Sequence, residues 1–157
     1  MRRSSILVLA LSSFTLVMLL SACSKDVKPP PTNINVEIKA ASSVNPDGSG
    51  RASPIVVRIY ALKSLGKFNT TDFYSLYSGE QTALGADMVT REEFHLTPGG
   101  QKIYTREVSS QALYLGVIAA FRDIDNATWR SSIPLPTGRT TNFSVNLDTN
   151  TVSIRAE

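Results

Sequence analysis

Ile55-Val56-Val57-Arg58-Ile59-Tyr60-Ala61-Leu62 is apolar at nearly every position except Arg58. Eight residues rich in β-branched side chains, bounded by Pro54 and Lys63, predict a strand covered on both faces. A second run of the same kind, LYLGVIAAF over residues 113–121, carries Gly116, which allows a close backbone approach or a bulge. Both runs read as core.

Outward from these runs the period is two. Ile34, Val36, Ile38 and Ala40 fall on one face of a half-buried strand, with Asn35, Glu37 and Lys39 on the other. Residues 41–54 then break the pattern with serine, asparagine, proline, aspartate and glycine, and Val44 is their only sizeable apolar side chain. A loop of this length without structure of its own is uncommon in a compact domain and is usually functional or disordered.

After the first core run, Phe73, Leu76 and Tyr77 recur at helical spacing behind Asn69, Thr70, Thr71 and Asp72, which offer a cap and a first-turn acid. Gly79 interrupts, and residues 80–88 predict a further turn or two with Leu84 and Met88 inward. A helical insertion over about residues 68–88 follows. Glu92, Phe94 and Leu96 alternate with Glu93, His95 and Thr97, and Pro98-Gly99-Gly100 joins them to a strand over residues 102–108 in a predicted hairpin. Residues 124–133 predict a weaker strand with Trp129, and Leu135-Pro136-Thr137-Gly138 a turn. Phe143, Val145 and Leu147, then Val152 and Ile154, close the domain. Seven to eight short strands with frequent turns predict a mostly β fold, a two-sheet sandwich over residues 34–157.

The first 22 residues have a different character. Arg2 and Arg3 form a basic start, residues 6–20 an apolar stretch broken by Ser12, Ser13 and Thr15, and Ser21-Ala22 a small-residue cleavage site. The stretch is short for a membrane span, which takes about 20 apolar residues, so it reads as a removed signal peptide. Leu20-Ser21-Ala22-Cys23 resembles the lipobox of bacterial lipoproteins. That resemblance implies that Cys23 becomes the first mature residue and carries a diacylglycerol thioether and an N-acyl chain, such as palmitate. At about 0.8 kcal/mol per buried CH₂, several chains hold a protein stably on its membrane. Ser24 follows the cysteine where an aspartate often signals inner-membrane retention, which favours the outer membrane. Residues 23–33 then form a lipidated leader with Pro29-Pro30-Pro31 as a semi-rigid spacer.

Loss of Arg2 and Arg3 lowers the formal charge from +3 by two, to +1. No basic run interleaves with aromatics, so nucleic acid is not an expected partner. A single cysteine permits no internal disulfide. His95 is the lone histidine and sits on a polar strand face, a poor start for a catalytic triad or a histidine-rich metal site. Asp123 and Asp125 beside Asn126 read as a turn, and Gly99-Gly100 lacks the lysine of a phosphate loop. Trp129-Arg130 reads as structural, packing or stacking at a sheet edge. No enzyme activity, metal or cofactor is expected beyond the covalent lipid.

Several stretches in order then carry a resemblance: residues 54–62, Phe68, Asp72-Phe73, Leu76-Tyr77, Pro98-Gly99, YLGVIAAFR over residues 114–122, and Trp129-Arg130. Behind a lipobox, this order resembles the TssJ family of type VI secretion lipoproteins. The resemblance implies a transthyretin-like β-sandwich with added helical turns, tethered to the outer membrane and facing the periplasm. It also implies a protein–protein interaction with the periplasmic C-terminal region of the inner-membrane protein TssM, made through the loop between the first two strands. By order that loop is residues 41–54, where Val44, Asn45, Asp47 and Arg51 are the candidate contacts. Val44 offers a small apolar anchor and Arg51 a forked donor. The alternative is a lipoprotein sandwich that binds a small ligand or a cell-wall component between its sheets or under the helical insertion.

Overall fold

The period-two stretch forms β1, Thr32–Ala40, with Ile34, Val36, Ile38 and Ala40 all buried. The computed structural model describes residues 30–157, so the expected signal peptide and Cys23 lie outside the described residues. Next come β2 (Ile55–Leu62), α1 (Gly66–Thr70), α2 (Phe73–Leu84), a 3₁₀ turn at Gly85–Asp87 and β3 (Met88–Leu96). The chain continues through β4 (Gln101–Val108), β5 (Tyr114–Ala119), a second 3₁₀ turn at Ile124–Asn126, β6 (Arg130–Pro134), β7 (Thr140–Leu147) and β8 (Val152–Ala156).

The strands divide evenly between two sheets, ordered β4-β1-β7-β8 and β3-β2-β5-β6. β1 pairs antiparallel with β4 and parallel with β7, setting Val36 opposite both Tyr104 and Phe143. In the other sheet Val57, Ile59 and Ala61 stand opposite Ala119, Val117 and Leu115 on the inner face. Burial of both inner faces makes one apolar core, to which Leu147, Val152 and Ile154 also contribute. It is the mostly β, two-sheet sandwich expected from the alternation.

β2 and β5 are covered on their outer face too, as their unbroken apolar runs predict. Tyr60, Leu62 and Ile118 pack against Phe68, Leu76 and Leu84 of the helical insertion in a second, smaller core. Gly116 is the close approach: a Cβ there would lie 2.7 Å from Phe68 Cζ. Asp72 caps α2 by accepting from the Ser75 amide at 3.0 Å, and the helix kinks at Gly79, which leaves helical geometry at φ −140°, ψ 38°. Arg130 fixes the end of α1 by donating to the Phe68 and Thr71 carbonyls at 3.0 and 2.9 Å.

Three expectations are corrected. Pro98-Gly99-Gly100 does turn the chain, with Gly99 at φ +73° and the Gly100 amide donating to the Thr97 carbonyl at 2.8 Å. However, β3 and β4 enter different sheets, so the unit is an arch and not a hairpin. Side chains bridge the arch: Phe94 and Tyr104 lie 5.2 Å apart between ring centroids, and Arg106 pairs with Glu92. The predicted strand over residues 124–133 is a 3₁₀ turn followed by a strand that starts only at Arg130, because Thr128 is held in an isolated bridge with Thr151. Met88 opens β3, half-buried, instead of closing a helix.

The topology gives the sandwich two distinct poles. The chain enters at Pro30 beside the 109–113 and 135–139 turns, where the Asn33 amide donates to the Arg139 carbonyl at 3.1 Å. Loops 41–54, 97–100, 120–129 and 148–151 all gather at the opposite end, the length of the nine-residue β1 away. At roughly 3.3 Å per residue that separation is about 30 Å.

Candidate functional site

The 41–54 loop dominates the far pole, and its order comes from hydrogen bonds the sequence does not announce. The Val44 amide donates to the Ala41 carbonyl and the Ser53 amide donates back to the Val44 carbonyl, both at 3.1 Å, so the loop closes on itself. Its tip closes again. The Asp47 amide donates to the Arg51 carbonyl, and the Gly50 amide to the Asp47 carbonyl, both at 2.8 Å. Gly50 takes φ +77°, open to glycine at no steric cost.

Asp47 organises that tip. Its carboxylate accepts from the Ser49 and Arg51 amides at 2.9 and 3.0 Å and from Arg51 Nε at 2.9 Å. Those donors, the Arg51 amide first, hold the Asp47 carboxyl below the usual carboxylate range. Arg51 remains outward, its side chain 80% exposed, with part of its guanidinium free to face a second molecule.

The four predicted contact residues therefore separate. At the loop tip Arg51 is exposed and Asp47 half-buried. Val44 is fully buried and joins the intersheet core, so the apolar anchor expected for a partner is spent inside the protein itself. Asn45 is only 3% exposed and serves its own chain. Its Nδ2 donates to the Pro54 carbonyl and its Oδ1 accepts from the Arg122 amide, both at 2.7 Å. Sequence reasoning missed Arg122 and Asn150, which join Pro46, Asp47, Gly48 and Asp123 around an open cleft of about 430 Å³. Nothing local marks them, since both lie 75 or more positions from Asp47 in the chain.

A second polar cluster sits between the helical insertion and β2–β3. Glu80 accepts from the Tyr60 hydroxyl at 2.8 Å, from Arg58 Nη1 at 3.1 Å and from Arg91 Nε at 2.6 Å. Arg58 also bonds Glu93 at 2.7 Å and the Tyr77 carbonyl at 2.6 Å, and its guanidinium lies 4.0 Å from the centre of the Tyr77 ring. Burial, then the Glu80 carboxylate, pushes the Tyr60 phenol well above its ordinary range. Each charge here is matched, so the cluster locks the helices to the sheet. His95 projects outward, 3.4 Å from Glu93. Asp123 accepts twice from Asn126 in a local turn, at 2.9 and 3.1 Å. Trp129 and Phe73 pack edge-to-face at 5.3 Å and the Arg130 guanidinium lies over the Trp129 ring at 4.7 Å, the structural role expected of that pair.

The spaces suggested for a small ligand are occupied. Buried apolar side chains fill both the gap between the sheets and the gap under the helices. At the entry pole an open groove of about 690 Å³ runs between Pro30, Pro31 and Thr32 on one side and Glu107, Val108, Ser109 and Ser110 on the other. No helix among the described residues is long and apolar enough to cross a membrane.

Comparison with known proteins agrees with this architecture. The T6SS-SciN family model, described as type VI secretion lipoprotein, VasD, EvfM, TssJ, matches residues 32–150. The chain is similar to the T6SS lipoprotein TssJ1 from Pseudomonas aeruginosa, at 36% identity and a TM-score of 0.79, covering 82% of this chain and 98% of that one. It is similar to Serratia marcescens Lip, a membrane-bound component of the type VI secretion system, at 27% identity and a TM-score of 0.73, over 81% and 96% of the two chains. A chain in a structure described as the T6SS protein TssM C-terminal domain from EAEC matches at 25% identity and a TM-score of 0.66, over 79% and 98%. A search of the curated proteins gives no match.

Proposed function

Because the chain belongs to the type VI secretion lipoprotein family, we propose that it is an outer-membrane tether, held by lipid on Cys23 and gripping the periplasmic C-terminal region of TssM with its loop pole. A similar chain occurs in a structure described by the TssM C-terminal domain, which supports this choice of partner.

The observation that carries the reading is the opposition of the two poles. The chain enters the sandwich at Pro30, at one end of β1, and the ordered loop tip with exposed Arg51 stands beyond the other end. A lipid on the leader then holds the entry pole toward the membrane, and the loop pole faces away from it into the periplasm. Sheet hydrogen bonds run continuously between the two ends, so a pull on the loops is borne by β1 and its neighbours β4 and β7, each paired along its full length. The role is mechanical and needs no bond-making chemistry.

The test is paired. Cys23→Ser should release the chain from the outer-membrane fraction and stop type VI secretion, while the released protein still captures TssM from solubilised envelope. Normal secretion by the released variant would contradict the tether, and failure of the wild type to capture TssM would contradict the choice of partner.

A further inference from the structure

We infer that Asn45 is the positioning residue of the loop pole: its main-chain N–H and its buried side-chain amide together fasten three separate loops into one docking surface. The inference rests on the reading of that pole as the partner site.

Asn45 has the only positive φ among the described non-glycine residues, +53°. Asparagine tolerates this left-handed conformation better than most side chains, and here it turns the side chain inward. Three bonds then radiate to three parts of the chain. The Asn45 amide donates to the Thr149 carbonyl at 2.9 Å, in the β7–β8 turn. Its Oδ1 accepts from the Arg122 amide at 2.7 Å, in the β5–β6 loop, and its Nδ2 donates to the Pro54 carbonyl at 2.7 Å, at the end of its own loop. Ser43 adds a second tie to the same turn, 3.0 Å from the Thr149 hydroxyl.

Asp47, which holds Arg51, lies two residues after Asn45 and lines one cleft with Arg122 and Asn150. One residue thereby sets the spacing between the exposed Arg51 and Arg122 groups. The side-chain amide suits both bonds, since its nitrogen donates to Pro54 while its oxygen accepts from Arg122. A surface fastened in advance loses less conformational freedom on binding, so losing the fastener should weaken the complex without removing any contact to the partner.

The experiment compares Asn45→Gly, which keeps the backbone conformation and loses the side-chain amide, with Val145→Ala, a core truncation that removes none of these bonds. Each full chain, extracted in detergent, is titrated with the TssM C-terminal domain at a temperature where circular dichroism shows it folded. Hydrogen exchange at the Arg122 amide is followed in parallel. N45G should speed Arg122 exchange and weaken binding by about tenfold or more, while V145A leaves both near wild type. Unchanged Arg122 exchange in N45G would overturn the fastening. Wild-type affinity in N45G, or an equal loss in V145A, would overturn the positioning role. If the wild type itself does not bind, the reading of the pole falls, and this inference falls with it.

Discussion

Gly116 and Phe68 touch so closely that no side chain fits between them: a Cβ on Gly116 would stand 2.7 Å from Phe68 Cζ and 3.0 Å from Leu62 Cδ1. This is where the helical insertion meets the sheet. Gly116→Ala should therefore destabilise the protein by about 1–3 kcal/mol through overpacking. Phe68→Ala should cost about 3–5 kcal/mol by leaving a cavity. In the double variant the alanine methyl enters the space Phe68 vacates, so the combined loss in urea unfolding should fall short of the sum. Additive losses would contradict the contact.

Glu80 joins α2 to the sheet through three donors. Glu80→Ala leaves the buried Tyr60 hydroxyl without its acceptor and Arg58 short of one partner. The expected loss is about 1–3 kcal/mol in chemical denaturation. Because the insertion should loosen before the sandwich, exchange should rise in α2 ahead of β2. A variant as stable as wild type would mean that the network contributes nothing.

Acid should weaken the same region. The Arg58 guanidinium holds the Glu93 carboxyl below its ordinary value in the folded state. A carboxyl whose folded pKa lies below its unfolded one stabilises the protein above the unfolded value, and that contribution is lost as pH falls through the folded one. Melting temperature should thus decline on acidification below the usual carboxylate range. Glu93→Gln should flatten that decline, and an unchanged acid limb in this variant would contradict the assignment.

Arg51 offers the most exposed charge on the loop tip, and its removal leaves the core untouched. Arg51→Glu should reduce affinity for the TssM C-terminal domain by about tenfold or more while the melting temperature stays near wild type. Wild-type affinity would remove Arg51 from the interface.

Much of the sandwich was legible because period and burial coincide along a strand. Ile34, Val36 and Ile38 announce their inner face, and the doubly covered runs around Tyr60 and Gly116 announce the helices that must cover them. The arch at Pro98-Gly99-Gly100 was not legible. Turn residues encode a reversal of the chain, whereas the sheet that the next strand joins depends on contacts such as Phe94 with Tyr104. The loop pole was legible as an oversized loop and opaque in its parts. Val44 and Asn45 looked exposed because their stretch is polar, yet Val44 enters the intersheet core and Asn45 bonds Thr149 and Arg122, residues distant in sequence that only the folded topology brings near.

The proposed opposition of a lipid pole and a grip pole is tested most directly by photo-crosslinking in living cells, with a reactive side chain placed either at Arg51 or at Ser110. Crosslinks to TssM from position 51 and none from position 110 are the predicted result. Crosslinks to TssM from position 110 alone would contradict the account.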